Sequence, residues 1–483
     1  MKILLIKPPL NPRLFVFNHD EPLELEYVAS AVREQTVEIL DMRIDKNLSR
    51  KLETFRPDIV GITAYTCDVR VAREILREVK KFDGRIKTVV GGHHATLLPF
   101  DFALPCVDAI FLGMADYSFR EYVQVVSQAG DVEGVQNIAL VKDHDLHFTE
   151  QLPFEPNLDS LPLPARHLTL QYRKHYCDFQ KSKTALIVTS RGCPFRCTFC
   201  ACWKIMAGKY LTRSPESVVE EYAGLPDEIK LVCFADDNTL HNKNRVLRMI
   251  ELIKERKINK KFMMYARTDN IVKNPELIKS LKEIGLVYLL VGIESFRDDE
   301  LDQLNKKTSV QINNQAIQIL RKLGVGISPH LIVNPNYVQE DFKQLFQYVC
   351  RAGLLRPVFA VLTPLPGTEL YAENYERLVI RDYDFFDFAH SIFPTRLSRK
   401  KFYREYADLY RKSYSLWRYS KNKIKTLSSF LMKSNGSLPP HPDRVSLFQL
   451  LLFHVYAYPL YFKMKNLYRS EPIITSNISS KAH

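Results

Sequence analysis

The feature that most constrains this chain is a twofold series of short apolar runs alternating with amphipathic stretches along its 483 residues. In the first series the runs are 3–6, 37–40, 59–62, 88–90 and 109–112. Each is short and rich in Ile, Val and Leu, as a strand buried on both faces of a parallel sheet must be. Amphipathic stretches such as 23–34 and 69–81 lie between them. This βαβα rhythm predicts a doubly wound parallel sheet, which takes ligands beyond the carboxyl ends of its strands. Two suitable loops sit there: 63–66, opening with Thr63, and Gly91-Gly92-His93-His94, where glycine lets the backbone approach a large ligand.

A second series begins at Thr184, with runs 185–189, 231–235, 262–267, 287–293, 328–333 and 359–363. Helical patterns such as 217–223, 245–255 and 311–323 separate them. Six parallel strands with their crossovers predict a partial (β/α)6 barrel rather than a closed eight-stranded one. Between the two series, 151–183 is proline-rich and then polar, and reads as a linker or strap. The organisation expected is therefore an α/β domain over 1–150, a linker over 151–183, a barrel over 184–375 and an aromatic, basic helical region over 376–483. Within that last region, 447–464 (LFQLLLFHVYAYPLYFKM) approaches the length of a membrane span but carries His454, Pro459 and several tyrosines. Two readings stand for it: a helix lying in a membrane interface, or an apolar cap over the core.

Composition narrows the partners. The formal charge of +13 suits nucleic acid, anionic lipid or acidic small ligands alike. No RNP-type motif, zinc-finger spacing or arginine run supports nucleic acid, and none is expected. The apolar start MKILLIKPPL runs into Pro8, Pro9 and Pro12 and reads as a first strand, not a signal peptide. A cytoplasmic protein is expected, with peripheral contact to the cytoplasmic face of a membrane as the extension of the interface reading.

Three of the nine cysteines cluster in TSRGCPFRCTFCAC, immediately after the first strand of the second series. Cys193, Cys197 and Cys200 can wrap three corners of a [4Fe–4S] cube and leave one iron open. An open iron can bind the amino and carboxylate groups of S-adenosylmethionine (SAM), and an electron passed to the sulfonium yields a 5′-deoxyadenosyl radical. Phe199, one residue before the third cysteine, would pack over the adenine or shield the cluster. A zinc site with Cys202 as fourth ligand is the competing reading, made awkward by the CxC spacing. The six remaining cysteines read as packing residues.

The CxxxCxxC loop resembles the signature of the radical SAM superfamily. FADDN (234–238), YARTDN (265–270), GIES (292–295) and LTPLPGTELY (362–371) are similar to further segments of that pattern. The resemblance implies SAM contacts from Asp237, Arg267, Glu294 and Ser295. GITAYT (61–66) and VVGGHHAT (89–96) resemble the ligand loops of cobalamin-binding domains and imply that Thr63, Gly91, Gly92 and His93 line a corrin site. The family's DxHxxG turn is replaced by Asp41-Met42-Arg43-Ile44-Asp45, so a cobalt without a protein histidine ligand is expected. An empty, vestigial domain remains the alternative.

The segment DFAHSIFPTRLSRKKFYREYADLYRKSY (387–414) resembles that of hopanoid C-3 methylases. The resemblance implies a cobalamin-dependent (class B) radical SAM methyltransferase acting on an unactivated carbon of a lipid-like substrate. A 5′-deoxyadenosyl radical would remove the substrate hydrogen and methylcobalamin would deliver the methyl group. An external donor of flavodoxin or ferredoxin type would supply electrons. The alternatives are a tetrapyrrole cyclase of the same class, and, outside it, a non-catalytic Fe–S electron carrier or a corrinoid sensor. No catalytic residue is legible; Tyr65, Tyr210, Tyr265 and Tyr288 are candidates for steering a radical only because they lie near strand ends.

Overall fold

A computed structural model describes residues 1–11, 19–143, 145–152, 157–178, 182–415, 418 and 461–472. The first series forms β1 (Lys2–Lys7), β2 (Thr36–Asp41), β3 (Ile59–Thr63), β4 (Lys87–Gly91) and β5 (Ala109–Phe111). All five are parallel, in the order β2-β1-β3-β4-β5. Alternate residues serve two cores. Leu4, Ile6, Val60 and Ile62 pack with the helices Leu48–Phe55 and Val69–Phe82, while Ile3, Leu5 and Ile59 pack with Leu23–Ala31 and Ala115–Ser127. Strand order reverses between β1 and β3, and at such a switch point a crevice opens beyond the carboxyl ends.

The sheet also carries an antiparallel hairpin, β6 (Ile138–Lys142) and β7 (Asp145–Phe148), at its edge. The sequence reading lacked it: the apolar run Ile138-Ala139-Leu140-Val141 stood outside the series, and Asp145-Leu146-His147-Phe148 is largely exposed and gives no such run. A short polar strand is also what keeps a sheet edge from pairing with another chain.

The second series forms β8 (Thr184–Ile187), β9 (Leu231–Phe234), β10 (Lys261–Arg267), β11 (Leu286–Glu294), β12 (Gly326–Val333) and β13 (Val358–Val361). They pair in sequence, all parallel, as an open six-stranded half-barrel. Outward residues such as Phe262, Met264, Leu289, Val291, Leu331 and Val333 join the crossover helices in one large core. Inward residues, among them Met263, Tyr265, Leu290, Gly292, His330, Ile332 and Ala360, stay half-buried or more exposed and line the lumen.

Two segments seal the half-barrel, and the one on the β8 side also reaches across to the first domain. Residues 157–178 run along the β8 side: Thr184 N–H donates to Tyr176 O at 3.3 Å, and Arg166 Nη2 donates to Leu186 O at 2.6 Å. Arg166 and Arg173 also ion-pair with Glu21, and Arg166 with Glu221 at 2.6 Å. On the β13 side, the helix Arg399–Ser413 buries Phe402, Tyr403, Tyr406 and Tyr410. The Tyr406 and Tyr410 hydroxyls donate to Phe359 O at 2.8 and 2.7 Å, and Tyr410 Oη accepts from Phe359 N–H at 2.9 Å. In this helix the tyrosines are a cap on the barrel edge.

Residues 447–460 of the long apolar stretch lie outside the described residues, and 461–464 are helical. Among the described residues no helix is long and apolar enough to cross a membrane.

Candidate active site

The cysteine loop leaves β8 and is closed by a two-residue ribbon in which Ser190 and Arg191 pair with Thr212 and Leu211. Gly192 takes φ +84, and a Cβ there would strike Lys209 O, so the turn into Cys193 requires glycine. Backbone contacts hold the loop from a second element: Thr198 N–H donates to Leu304 O at 3.1 Å, and Asn305 Nδ2 donates to Arg196 O at 2.6 Å. Among the described residues no three His, Cys, Asp or Glu side chains close round one point. Burial pushes the Cys193 thiol up to about 11 and raises that of Cys197, against the opposing charges of Lys306 and Arg267 at the latter. Binding a cluster would therefore expel protons.

The acids after β9 clamp this loop. Asp236, 2% exposed, accepts from Thr189 N–H at 2.6 Å and Ser190 N–H at 3.0 Å, and from the Thr189 hydroxyl. Asp237 accepts from Gly192 N–H at 3.1 Å. The Cys202 thiol lies within hydrogen-bonding reach of both Cys200 and Asp237. Arg267 is buried over the Phe195 ring, 3.5 Å from its centroid, with Nη1 3.9 Å from Cys197 Sγ and Nη2 donating to Lys306 O at 2.6 Å. Lys306 Nζ in turn donates to Glu294 Oε1 at 2.6 Å. The Ser295 hydroxyl is spent inside its own loop on Glu300, and Phe199 lies half-buried between Cys197 and Cys200. Among the described residues, Asn238 Nδ2, Thr239 Oγ1 and His330 Nε2 are buried polar atoms at this end of the half-barrel without a hydrogen-bond partner. Unmet polar atoms beside an open thiol set fit a polar ligand of SAM's kind.

At the facing end of the first sheet, a cavity of about 390 Å³ is lined by Thr63, Tyr65, Gly91, Gly92 and His93. Its opposite wall is Arg191, Gly192, Cys202 and Asp237, so it lies between the switch point and the cysteine loop. Gly92 takes φ +99, and a Cβ there would stand 2.8 Å from Thr63 Oγ1 and 2.9 Å from Ala64 N. Adjacent histidines have opposite fates. His94 is buried, with Nδ1 3.2 Å from Thr66 Oγ1 and Nε2 2.8 Å from Asp101 Oδ2. His93 lines the cavity edge-on to Tyr65, and burial lowers its pKa to about 4, so its imidazole is neutral. The turn that replaces DxHxxG is closed on itself, since Arg43 and Tyr176 both bind Asp41. A glycine-walled crevice at a switch point, with no imidazole on that turn, fits a corrin held without the usual histidine.

The structure thus brings Thr63, Gly91, Gly92, His93 and Asp237 to one cavity. Arg267 and Glu294 meet through Lys306 beside Cys197. Asp236, Lys306 and His330 were not read from the sequence. The second acid of FADDN was a signal for the first; nothing in the local sequence marks the other two.

Family comparisons agree with this arrangement. The model described as "Radical SAM superfamily" matches residues 187–349, and that of the "B12 binding domain" matches 18–123. The chain is 28% identical over 450 residues to the hopanoid C-3 methylase of Methylococcus capsulatus, covering 90% of this chain and 84% of that protein. It is 27% identical to the anaerobic magnesium-protoporphyrin IX monomethyl ester cyclase of Rubrivivax gelatinosus, covering 80% and 72%. In fold it is similar to the radical SAM methyltransferase TsrM from Kitasatospora setae, solved with cobalamin and a [4Fe–4S] cluster, at a TM-score of 0.64 and 18% identity over 78% of each chain. With a match to the radical SAM superfamily and one to the B12 binding domain in one chain and a cavity between them, the protein is similar to the cobalamin-dependent radical SAM methyltransferases.

Proposed function

We propose that the protein methylates an unactivated carbon of a hopanoid, at C-3. The observation that carries the substrate class is the half-barrel lumen, whose wall of Met263, Tyr265, Leu290, Ile332 and Ala360 is apolar and half-buried or more exposed. Tyr265 is 40% exposed although it points inward. Such a wall suits a rigid hydrocarbon and offers little to a charged substrate. The similarity to a hopanoid C-3 methylase over 90% of the chain supports the same class.

Cys193, Cys197 and Cys200 would hold the cluster, with Arg267 and Lys306 as the cations beside it. Glu294 and Asp237 would meet SAM, and Thr63, Gly91, Gly92 and His93 the corrin. When bound, these groups supply a carbon-centred radical and a transferable methyl group, chemistry for a carbon too inert for polar attack. The residues around them exclude water and fix the loop. An external one-electron donor completes the requirement, and contact of the protein with a lipid surface would deliver the substrate.

The test is lipid analysis of a deletion strain. Methylated hopanoids should vanish and return on complementation with the wild-type gene, but not with the Cys193→Ala/Cys197→Ala/Cys200→Ala triple variant. An unchanged hopanoid profile would remove this substrate, and an altered tetrapyrrole profile would favour cyclase-type chemistry instead.

A further inference from the structure

The outer side of the helix Arg399–Ser413 has no part in capping the barrel, and it is strongly basic. Its inner side is spent on Phe402, Tyr403, Tyr406 and Tyr410, which leaves Lys400, Lys401, Arg404, Arg411 and Lys412 exposed on the other. Residues 461–472 pack beside this helix. Met464 and Leu467 join the same core as Phe402 and Tyr410, and Glu471 Oε1 accepts from Arg399 Nη2 at 2.9 Å. This segment adds Lys463, Lys465 and Arg469. Together, 399–412 and 461–472 hold nine Lys and Arg against three Asp and Glu, so nearly half of the formal charge of +13 lies in two short segments. The acids offset little of it outside. Glu471 is buried beneath the face, on Arg399 and Tyr403. Asp408 serves the last turn, pairing with Arg411 at 2.9 Å and Lys412 at 3.6 Å, and Glu405 accepts from Gln339 Nε2 at 2.9 Å. The first two turns stay net positive.

The two segments form one surface. At one end the Arg411 guanidinium lies 5.6 Å from the Tyr461 ring centroid. At the other, the Tyr468 hydroxyl accepts from Arg469 Nε at 3.3 Å, and this bond, with the charges of Lys400 and Lys465, lowers its pKa. Aromatic rings stand among the cations: Phe462 is 51% exposed, and Lys465 Nζ is 5.9 Å from the centroids of both Tyr461 and Phe462. In the sequence this segment continues from 447–460, which is apolar and carries no Lys, Arg, Asp or Glu. Clustered cations call for a polyanion, and exposed rings between them call for an apolar layer behind its charges. An anionic bilayer supplies both, with headgroup phosphates for the cations and the acyl boundary for the rings. Duplex nucleic acid would meet the charge and leave Phe462 in water. We infer that the outer side of the helix and residues 461–469 dock the protein on a bilayer of anionic phospholipid. Its use in delivering a lipid substrate rests on the function proposed above; the docking does not.

The test is sedimentation of the full chain with hopanoid-free vesicles of phosphatidylcholine, alone or with about 30% phosphatidylglycerol. The wild type should bind the charged vesicles, bind the neutral ones only weakly, and release the charged ones as salt rises from about 0.1 to 0.5 M. Lys400→Gln/Lys401→Gln/Arg404→Gln should weaken that binding about 100-fold, at roughly 5-fold for each cation. Lys254→Gln/Lys257→Gln/Lys279→Gln removes the same charge from exposed positions on the barrel helices and should bind as the wild type does. Phe462→Ser, which leaves net charge unchanged, should also weaken binding. Equal binding to both kinds of vesicle, equal loss in the two triple variants, or capture of random-sequence duplex DNA in preference to charged vesicles would overturn the inference. Intact vesicle binding beside an unchanged hopanoid profile in the deletion strain would keep the docking face and remove the proposed substrate.

Discussion

Glu26 gives the sharpest test of how the two domains are joined. It lies on the helix Leu23–Ala31, is 0% exposed, and faces the seam where Glu21, Glu26 and Glu221 meet Arg166, Arg173 and Arg213. Its Oε1 accepts from the Thr169 hydroxyl at 2.5 Å, and its Oε2 has no hydrogen bond, with Arg166 Nη1 3.7 Å away. Burial first, and then the charge of Glu21, raise its pKa from 4.5 to about 8. Between those values the folded chain holds a proton that the unfolded chain has released. The stabilisation is complete below pH 4.5 and is lost as pH rises towards 8. In that window stability falls by roughly 3 kcal/mol between about pH 5.5 and 7.5. Glu26→Gln keeps the acceptor for Thr169 and removes the titration. Urea unfolding of both proteins at three pH values isolates the effect, because all other groups cancel in the difference. The wild type should lose about 2–3 kcal/mol relative to the variant across this range, a sizeable part of an ordinary domain's stability. A constant difference would refute the reasoning. A wild type that gains with pH would mean that Glu26 is ionised and held by Arg166.

Further outcomes follow from the site. His94→Ala, which removes a buried imidazole and its contacts with Thr66 and Asp101, should cost about 2 kcal/mol in stability, whereas His93→Ala should change stability by less than about 0.5 kcal/mol and lower the cobalt retained per chain after desalting. Gly292→Ala displaces only the flexible ends of Glu294 and Lys306, so it should leave the melting profile nearly intact and weaken SAM binding in equilibrium dialysis. Gly92→Ala, strained at φ +99 against Thr63 and the Ala64 backbone, should destabilise the first domain by about 1–3 kcal/mol and reduce corrinoid binding measured by visible absorbance. The Cys193→Ala/Cys197→Ala/Cys200→Ala protein should lose both its brown colour and the dithionite-dependent release of 5′-deoxyadenosine; retention of either would show that the cluster ligands lie elsewhere.

What the sequence could and could not tell follows from how each feature is encoded. The five parallel strands of the first sheet announce themselves because a strand buried on both faces is a continuous apolar run, as in Ile3-Leu4-Leu5-Ile6, and those of the half-barrel because their lumen faces carry apolar residues too, as Leu290 does between Leu289 and Val291. The cysteine triad is legible because all three thiols lie in one loop, Cys193–Cys200, and their spacing can be read directly from the sequence. Lys306 and His330 carry no such mark. They reach the site from separate elements, and only after the bulge behind Gly292 has turned Glu294 back into the lumen. The aromatic helix Arg399–Ser413 is encoded differently: a stripe of tyrosines at helical spacing looks the same whether it meets lipid or a core, and here it meets the core.

The two segments that seal the half-barrel also explain why the cavity lies where it does. An open six-stranded sheet leaves polar backbone at both outer strands, and each must be covered. Residues 157–178 cover β8 and carry Arg166 and Arg173 to the first domain's Glu21. On the other side, Phe388 O accepts from Val361 N–H at 2.7 Å, and the same stretch brings Asp384 to Arg70 at 2.8 Å and to Asn11 through its carbonyl at 2.8 Å. Each seal is thus also a clamp. Closing the barrel's edges and setting the switch point of the first sheet against the cysteine loop are one structural act. It follows that a change in the seam far from the cysteines, such as loss of Arg166, should alter cofactor retention as well as stability.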